Sequence, residues 1–244
     1  MALTANDDAA ATAYSTGTLA ATIAVATGDL IVVFAGVLRE EVFCTGVTDD
    51  IGNSYTVRSE LVPTGQDCSL VMAYCLASEG TDATNAITLS YGDATNSRKM
   101  IIATSWTIDG GDTVTLDDAS NITDTYQATG EWVTPADEID TTGTDELVIA
   151  GYQAGSSGSD YTNAELPPGT GATEISNNDT GDCLFYVILT ETIADADATV
   201  ESDAGASYSA EILAFKSAGA APPAGQPYFK RFGGVPHSIT YRRW

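Results

Sequence analysis

One apolar line occurs twice in this chain, and that repetition limits the fold more than any other feature. Residues 28–38 (GDLIVVFAGVL) return as residues 145–155 (DELVIAGYQAG), with Leu147 standing 117 positions after Leu30. Residues 67–71 (DCSLV) are echoed by residues 182–186 (DCLFY), an offset of 115. The run 98–108 (RKMIIATSWTI) has its counterpart in 207–216 (SYSAEILAFK), and the turn at 14–17 is echoed at 126–130. A period this long fits neither a solenoid nor a propeller blade. It predicts two related half-units, about 14–117 and 118–217, burying their apolar faces against each other within residues 1–217.

The local pattern says strand. Residues 30–37 are continuously apolar and rich in Val, Ile and Phe, as in a strand covered on both faces. Residues 85–91 alternate, with Ile87, Leu89 and Tyr91 on one side and Thr88 and Ser90 on the other. Residues 1–13, small and polar, read as an extended lead-in. Gly, Asn and Asp punctuate the runs, and no window carries helical periodicity over a normal helix length. The expected class is all-β: a two-sheet antiparallel sandwich, jelly-roll-like, with pseudo-duplicated halves and an extended C-terminal tail.

Charge narrows the partners. The formal net charge is −25, from 34 acidic and 9 basic residues, a surface that repels phosphate backbones. A nucleic-acid partner is not expected. No stretch approaches the ~20 apolar residues that cross a bilayer, and the N-terminal residues lack the basic and apolar regions of a secretory signal. Synthesis in a cytoplasm with no membrane association is the expectation. Cys44, Cys68, Cys75 and Cys183 show no C-x-x-C spacing, and the odd separation of Cys68 and Cys75 on one strand points them to opposite faces. All four are expected as free, mostly buried thiols.

The composition reverses at the C-terminal end. Residues 218–227 (AGAAPPAGQP) form a Pro/Gly/Ala linker, followed by 228–244 (YFKRFGGVPHSITYRRW). This arm holds four of the nine basic residues and no acid, so the remainder of the chain carries −29. Tyr228, Phe229, Phe232, Tyr241 and Trp244 would fill pockets on a partner, and Lys230, Arg231, Arg242 and Arg243 would meet its carboxylates. Tyr, Trp and Arg are the residue types that anchor interfaces.

Few residues suggest chemistry. The single histidine, His237, lies in the arm, which leaves no base for a Ser-His-Asp or Cys-His arrangement in the body. No catalytic residue is assigned, and no cofactor is expected. Calcium held by carboxylates stays open at two turns, Asp49, Asp50 and Asn53, and Asp109, Asp112, Asp117 and Asp118, although neither matches a known calcium loop. Tyr152, Tyr161 and Trp132 could stack on sugars if they stood exposed on loops, which is the route to an alternative reading as a carbohydrate-binding or adhesin-like module of a tail fibre or surface protein.

The runs GDLIVVFAGV, DDIGNSYTV, MAYCLAS, IIATSWTIDG and SAEILAFK resemble the β-sandwich modules of phage virion proteins and bacterial surface proteins. The ending RFGGVPHSITYRRW resembles the short Gly-Gly-Val-Pro and terminal-Trp endings of tailed-phage structural proteins. The resemblance implies a head decoration (cement) protein or related virion accessory, non-enzymatic and located on the outer capsid surface. Its implied partners are the major capsid protein or another virion protein, with further copies of itself on the particle.

Overall fold

Strands that are apolar on both faces need cover on both sides, and the duplicated chain supplies it by stacking four sheets. The structure, a computed structural model, describes residues 3–14, 16–38, 44–58, 68–80, 83–92, 97–108, 113–120, 123–127, 132–133, 138–155, 161–166, 171–178, 181–203 and 205–217. In the first half the strands are β1 (Leu3–Tyr14), β2 (Thr18–Val25), β3 (Leu30–Val37), β4 (Cys44–Asp49), β5 (Thr56–Val57), β6 (Ser69–Leu76), β7 (Ala83–Tyr91) and β8 (Arg98–Ile108). They form a five-stranded sheet, β1-β8-β3-β6-β5, over a three-stranded sheet, β2-β7-β4. This is the strand order of a jelly roll, with β5 moved across to pair with β6.

The second half repeats it. Its strands are β9 (Val114–Ala119), β10 (Thr123–Gln127), β11 (Trp132–Val133), β12 (Glu146–Ala154), β13 (Tyr161–Glu165), β14 (Thr173–Asn178), β15 (Asp182–Leu189), β16 (Thr199–Ser202) and β17 (Ala206–Ser217). The large sheet runs β10-β17-β12-β15-β14, with β9 also on β17, and the small one β11-β16-β13. The all-β sandwich expected from the sequence is therefore present twice. Each half closes a sandwich of its own, where the sequence suggested that the halves were the two sides of one.

Three apolar clusters follow. Ile23, Val33, Val71, Ala73, Ile87 and Ile101 fill the first sandwich, and Val148, Tyr152, Phe185, Val200 and Ile212 fill the second. A third cluster lies between the two large sheets: Leu30, Val32, Phe34, Leu70, Met72, Ile102 and Trp106 against Leu147, Ile149, Leu184, Leu213 and Phe215. Period-2 alternation assigns the faces. Val33 and Ala35 point inward while Val32 and Phe34 point at the other half, each fully buried side chain contributing roughly 1.5–3 kcal/mol.

The ladders test the repeat residue by residue. With Leu30 on Leu147, their partners carry Trp106 to Phe215, an offset of 109, and Leu76 to Ile188, an offset of 112. The first agrees with the repeat of 98–108 in 207–216. Tyr14, opposite Arg98, corresponds to Tyr126, opposite Ser207, as the turn echo suggested. The second corrects the offset of 115 drawn from the Asp-Cys echo. A three-residue slip is odd and would exchange the two faces of the strand; at 112 Val71 and Cys183 both face their own sandwich, and Met72 and Leu184 both face the neighbouring half.

The boundaries of the halves move as well. Residues 3–14, expected to belong largely to a lead-in, are β1, paired along its length with β8. On the other side β9 and β10 share the same edge of β17, covering 213–217 and 206–210. Together they stand where β1 stands, the strand being interrupted at Ser120, whose Oγ accepts the Ile212 amide at 2.8 Å. By pairing, the halves are 3–108 and 114–217 rather than 14–117 and 118–217. The four cysteines are buried as thiols, with Cys75 inside the first sandwich and the Cys68 thiol 3.5 Å from the Gln153 carbonyl between the halves.

Candidate functional site: the cations and an acid-lined groove

The arm assigned to partner binding, Tyr228, Phe229, Lys230, Arg231, Phe232, Tyr241, Arg242, Arg243 and Trp244, lies outside the described residues, as do the linker and His237. The described chain ends at Ser217 on β17. What the body shows is where its own cations are used.

Four of its five basic residues are described, and each is engaged inside the protein. Arg58, one residue past β5, donates through Nε to Glu211 Oε1 at 2.8 Å and through its terminal nitrogen to the Ser120 carbonyl at 3.2 Å, joining the two halves. Arg98, 2% exposed, lies 3.9 Å from buried Asp182, also across the halves, and burial lowers its pKa against the pull of that carboxylate. Lys99 is fully buried with its ammonium 5.5 Å above the Tyr91 ring, a cation–π arrangement. Lys216 bonds Asp117 and the Thr142 hydroxyl. Burial would raise the Asp117 pKa, but the bonds from Lys216 and Thr142 outweigh it and hold it low. Arg39 lies outside the described residues.

Glu211 sits in an apolar slot. The offset of 109 places it on Ile102, as the offset of 112 places Asp182 on Leu70. Burial pushes the Glu211 carboxyl up to about 7, with Arg58 pulling the other way. Buried acids in the second half thus meet arginines of the first. Sequence reasoning missed both pairs; the available signal was a charge occupying an apolar position of the repeat.

The aspartate turns satisfy themselves. Asp49 accepts the Gly52 and Asn53 amides at 2.7 and 2.9 Å, the Asn53 side chain at 2.8 Å and the Tyr55 hydroxyl at 3.0 Å. Asp50 accepts the Ala86 amide at 3.0 Å, and Asp118 accepts those of Ala119 and Asp140, both at 2.8 Å. Such acceptor use is what turn-forming Asp does without an ion. Among the described residues no three His, Cys, Asp or Glu side chains group as a metal site would; Asp109 and Asp112 lie outside them.

The aromatics considered as sugar platforms need correcting. Tyr152 and Tyr161 are 0% and 2% exposed, core residues of the second sandwich. The Tyr152 hydroxyl donates to the Ala198 carbonyl at 2.6 Å, and its ring stacks on Phe185 at 5.6 Å. Both lie on strands that close a sandwich, so their apolar rings face inward. The Trp132 side chain is outside the described residues. Trp106, within the apolar strand β8, is 1% exposed.

One groove of about 180 Å³ opens at the seam between the halves. β1 and β8 contribute Asp7, Asp8 and Trp106 on one side, and β14 and β15 contribute Glu174 and Tyr186 on the other. Trp106 and Tyr186 meet edge to face at 4.6 Å in its wall. Its lining holds three carboxylates and no basic residue.

No protein-family model matches the chain, and no curated protein matches it in sequence.

Proposed function

We propose that this protein is a non-enzymatic virion component, a decoration protein of a bacteriophage capsid, attached to the major capsid protein or a neighbouring virion protein by residues 228–244. The observation that carries the reading is the distribution of cations. Every described basic residue of the body is held by an internal acid or ring, which leaves an acidic exterior. The arm keeps four of the nine basic residues together with five aromatics. An acidic body and a basic-aromatic arm divide solubility from attachment, since complementary charge steers docking while buried aromatics supply affinity. Jelly rolls recur in capsid proteins and also in lectins, so the fold by itself does not choose between them.

Deletion of residues 228–244 tests the reading. The truncated protein should melt as the full chain does and no longer co-sediment with cognate capsids that lack it. Undiminished binding would overturn the proposal.

A further inference from the structure

We propose that Lys216 and Asp117 are joined in an intramolecular isopeptide bond, which the protein forms by itself with Glu146 as the catalytic proton carrier. The three residues meet at one corner of the second half. Lys216 Nζ contacts Asp117 Oδ1, while Thr142 holds the same carboxylate through its hydroxyl at 2.8 Å and its amide at 2.7 Å. The fold thus keeps amine and carboxyl together, which turns a bimolecular condensation into an intramolecular one. The Asp117 side chain is 3% exposed and Glu146 is fully buried, so little water competes for the carboxyl. Glu146 Oε1 accepts the Gly143 amide, and its Oε2 has no donor among the described residues. Glu146 and Asp117 are nonetheless hydrogen-bond partners, which two carboxyls can be only by sharing a proton. Burial raises the Glu146 pKa against the pull of the Gly143 amide, and the Asp117 charge adds to the rise. Of the two acids, Glu146 is the one that holds the proton.

The first half shows what the same corner requires for folding alone. With Leu30 on Leu147 and Trp106 on Phe215, Asp29 stands on Glu146 and Thr107 on Lys216. Asn6 stands on Asp117, each being the extra residue of a bulge that follows the partner of Trp106 or of Phe215. Asn6 donates to Asp29 at 3.1 Å, and Asp29 accepts the Ala26 amide at 2.9 Å, as Glu146 accepts that of Gly143. An amide and a carboxylate complete this corner, and a threonine stands where the amine would be. The second half keeps the geometry and replaces the three side chains by an acid, a second acid carrying a proton, and a lysine. Those are the groups that an amide condensation uses.

In the reaction the Lys216 ammonium gives one proton to the Asp117 carboxylate, and the freed Nζ lone pair adds to Cγ of Asp117. Glu146 protonates the departing oxygen and takes a proton back from the nitrogen, ending as it began. The N–C bond forms and one C–O bond breaks. Two of the three ammonium protons leave with the Asp117 oxygen as water, and the third stays on the amide nitrogen. No oxidant or cofactor enters. The product ties β17 to β9 one residue before the end of β17, whatever the arm beyond it binds.

Intact-mass measurement of the denatured full-length protein tests this. After correction for the substitution, the parent should be lighter than Lys216→Arg by one water. Its digest should contain a branched peptide joining 216 to 117, with no trypsin cleavage after Lys216. Asp117→Asn, which copies the first half, should lose one ammonia instead, because the leaving group has changed. Glu146→Gln keeps an acceptor for the Gly143 amide and should fold, by circular dichroism, at its full sequence mass. Equal corrected masses for the parent and Lys216→Arg would overturn the proposal. So would a lost water that maps elsewhere, for instance to a succinimide at Asp109-Gly110. A water lost as completely from Glu146→Gln as from the parent would end the catalytic role of Glu146.

Discussion

The two halves share a strand order and differ where they touch. Position 34 of the first half faces its own counterpart, 151, and position 36 faces 153, so the internal axis runs between β3 and β12. A Cβ on Gly151 would come within 2.6 Å of the Phe34 ring, and one on Gly36 within 2.0 Å of Gln153 Oε1. Equal side chains at self-facing positions would collide or leave a void, and here each large residue meets a glycine. The charges differ in the same sense, with Ile102 and Leu70 in one half against Glu211 and Asp182 in the other. A duplicated chain can vary its two copies independently, which identical subunits cannot do.

Separating the halves should have the largest effect. Chains 1–110 and 113–244 expressed alone each expose the apolar face of a large sheet, so each is expected to aggregate or self-associate in size-exclusion chromatography. Co-expression should give a soluble one-to-one complex. Monomeric, separately melting halves would show that the interface is dispensable.

Next comes the self-facing pair. Gly151→Phe puts two phenyl rings in one place and should cost about 3 kcal/mol in urea unfolding. Exchanging the pair, Phe34→Gly with Gly151→Phe, should recover most of that. Costs that simply add, with about 4 kcal/mol for the lost Phe34, would mean that the two positions do not face each other.

Arg58→Met leaves Glu211 buried beside no cation. A cost of about 2 kcal/mol is expected, below that of a fully buried broken pair because the Arg58 side chain is 25% exposed. Adding Glu211→Ile copies the residue of the other half and should return stability close to that of the parent. A double variant no better than the single would mean that the slot needs its charge.

The smallest effect is a pH slope. Glu211 titrates near 7 in the fold and near 4.5 when unfolded, so the folded state holds the extra proton between those values. Stability from this group is present below about 4.5 and lost as pH rises towards 7. Glu211→Gln should remove that component from urea midpoints measured between pH 4.5 and 8. An identical slope in the variant would assign the dependence to other groups.

How far the sequence revealed this arrangement depended on contrast between neighbouring residues. β3 and β12 were plain because Leu, Ile, Val and Phe stand against polar turns. β1 was not, because its inward positions Ala9 and Ala11 are hardly more apolar than the exposed Ala10 and Thr12 beside them. The Asp-Cys echo misled because two matching letters outweighed the parity that decides which face a side chain occupies. Tyr152 and Tyr161 read as loop residues since tyrosine suits a surface as well as a core with a carbonyl in reach. Alternation gives a face but not its neighbour, so whether a covered strand meets its own sandwich or the other half became legible only in the ladders. The groove needs residues from both halves, and no local spacing announces it.

The pairing of each half's first strand with its last has a consequence in time. The first large sheet cannot complete until Ile108 has been synthesised, and its partner face is complete only at Ser217, 109 residues later. At ribosomal rates of ~5–20 residues per second, that leaves roughly 5–20 s in which Leu30, Val32, Phe34, Met72 and Trp106 stand on a finished but uncovered sheet. During this interval the nascent chain is most open to contact with other nascent chains, and a slower passage through residues 109–217 would lengthen it.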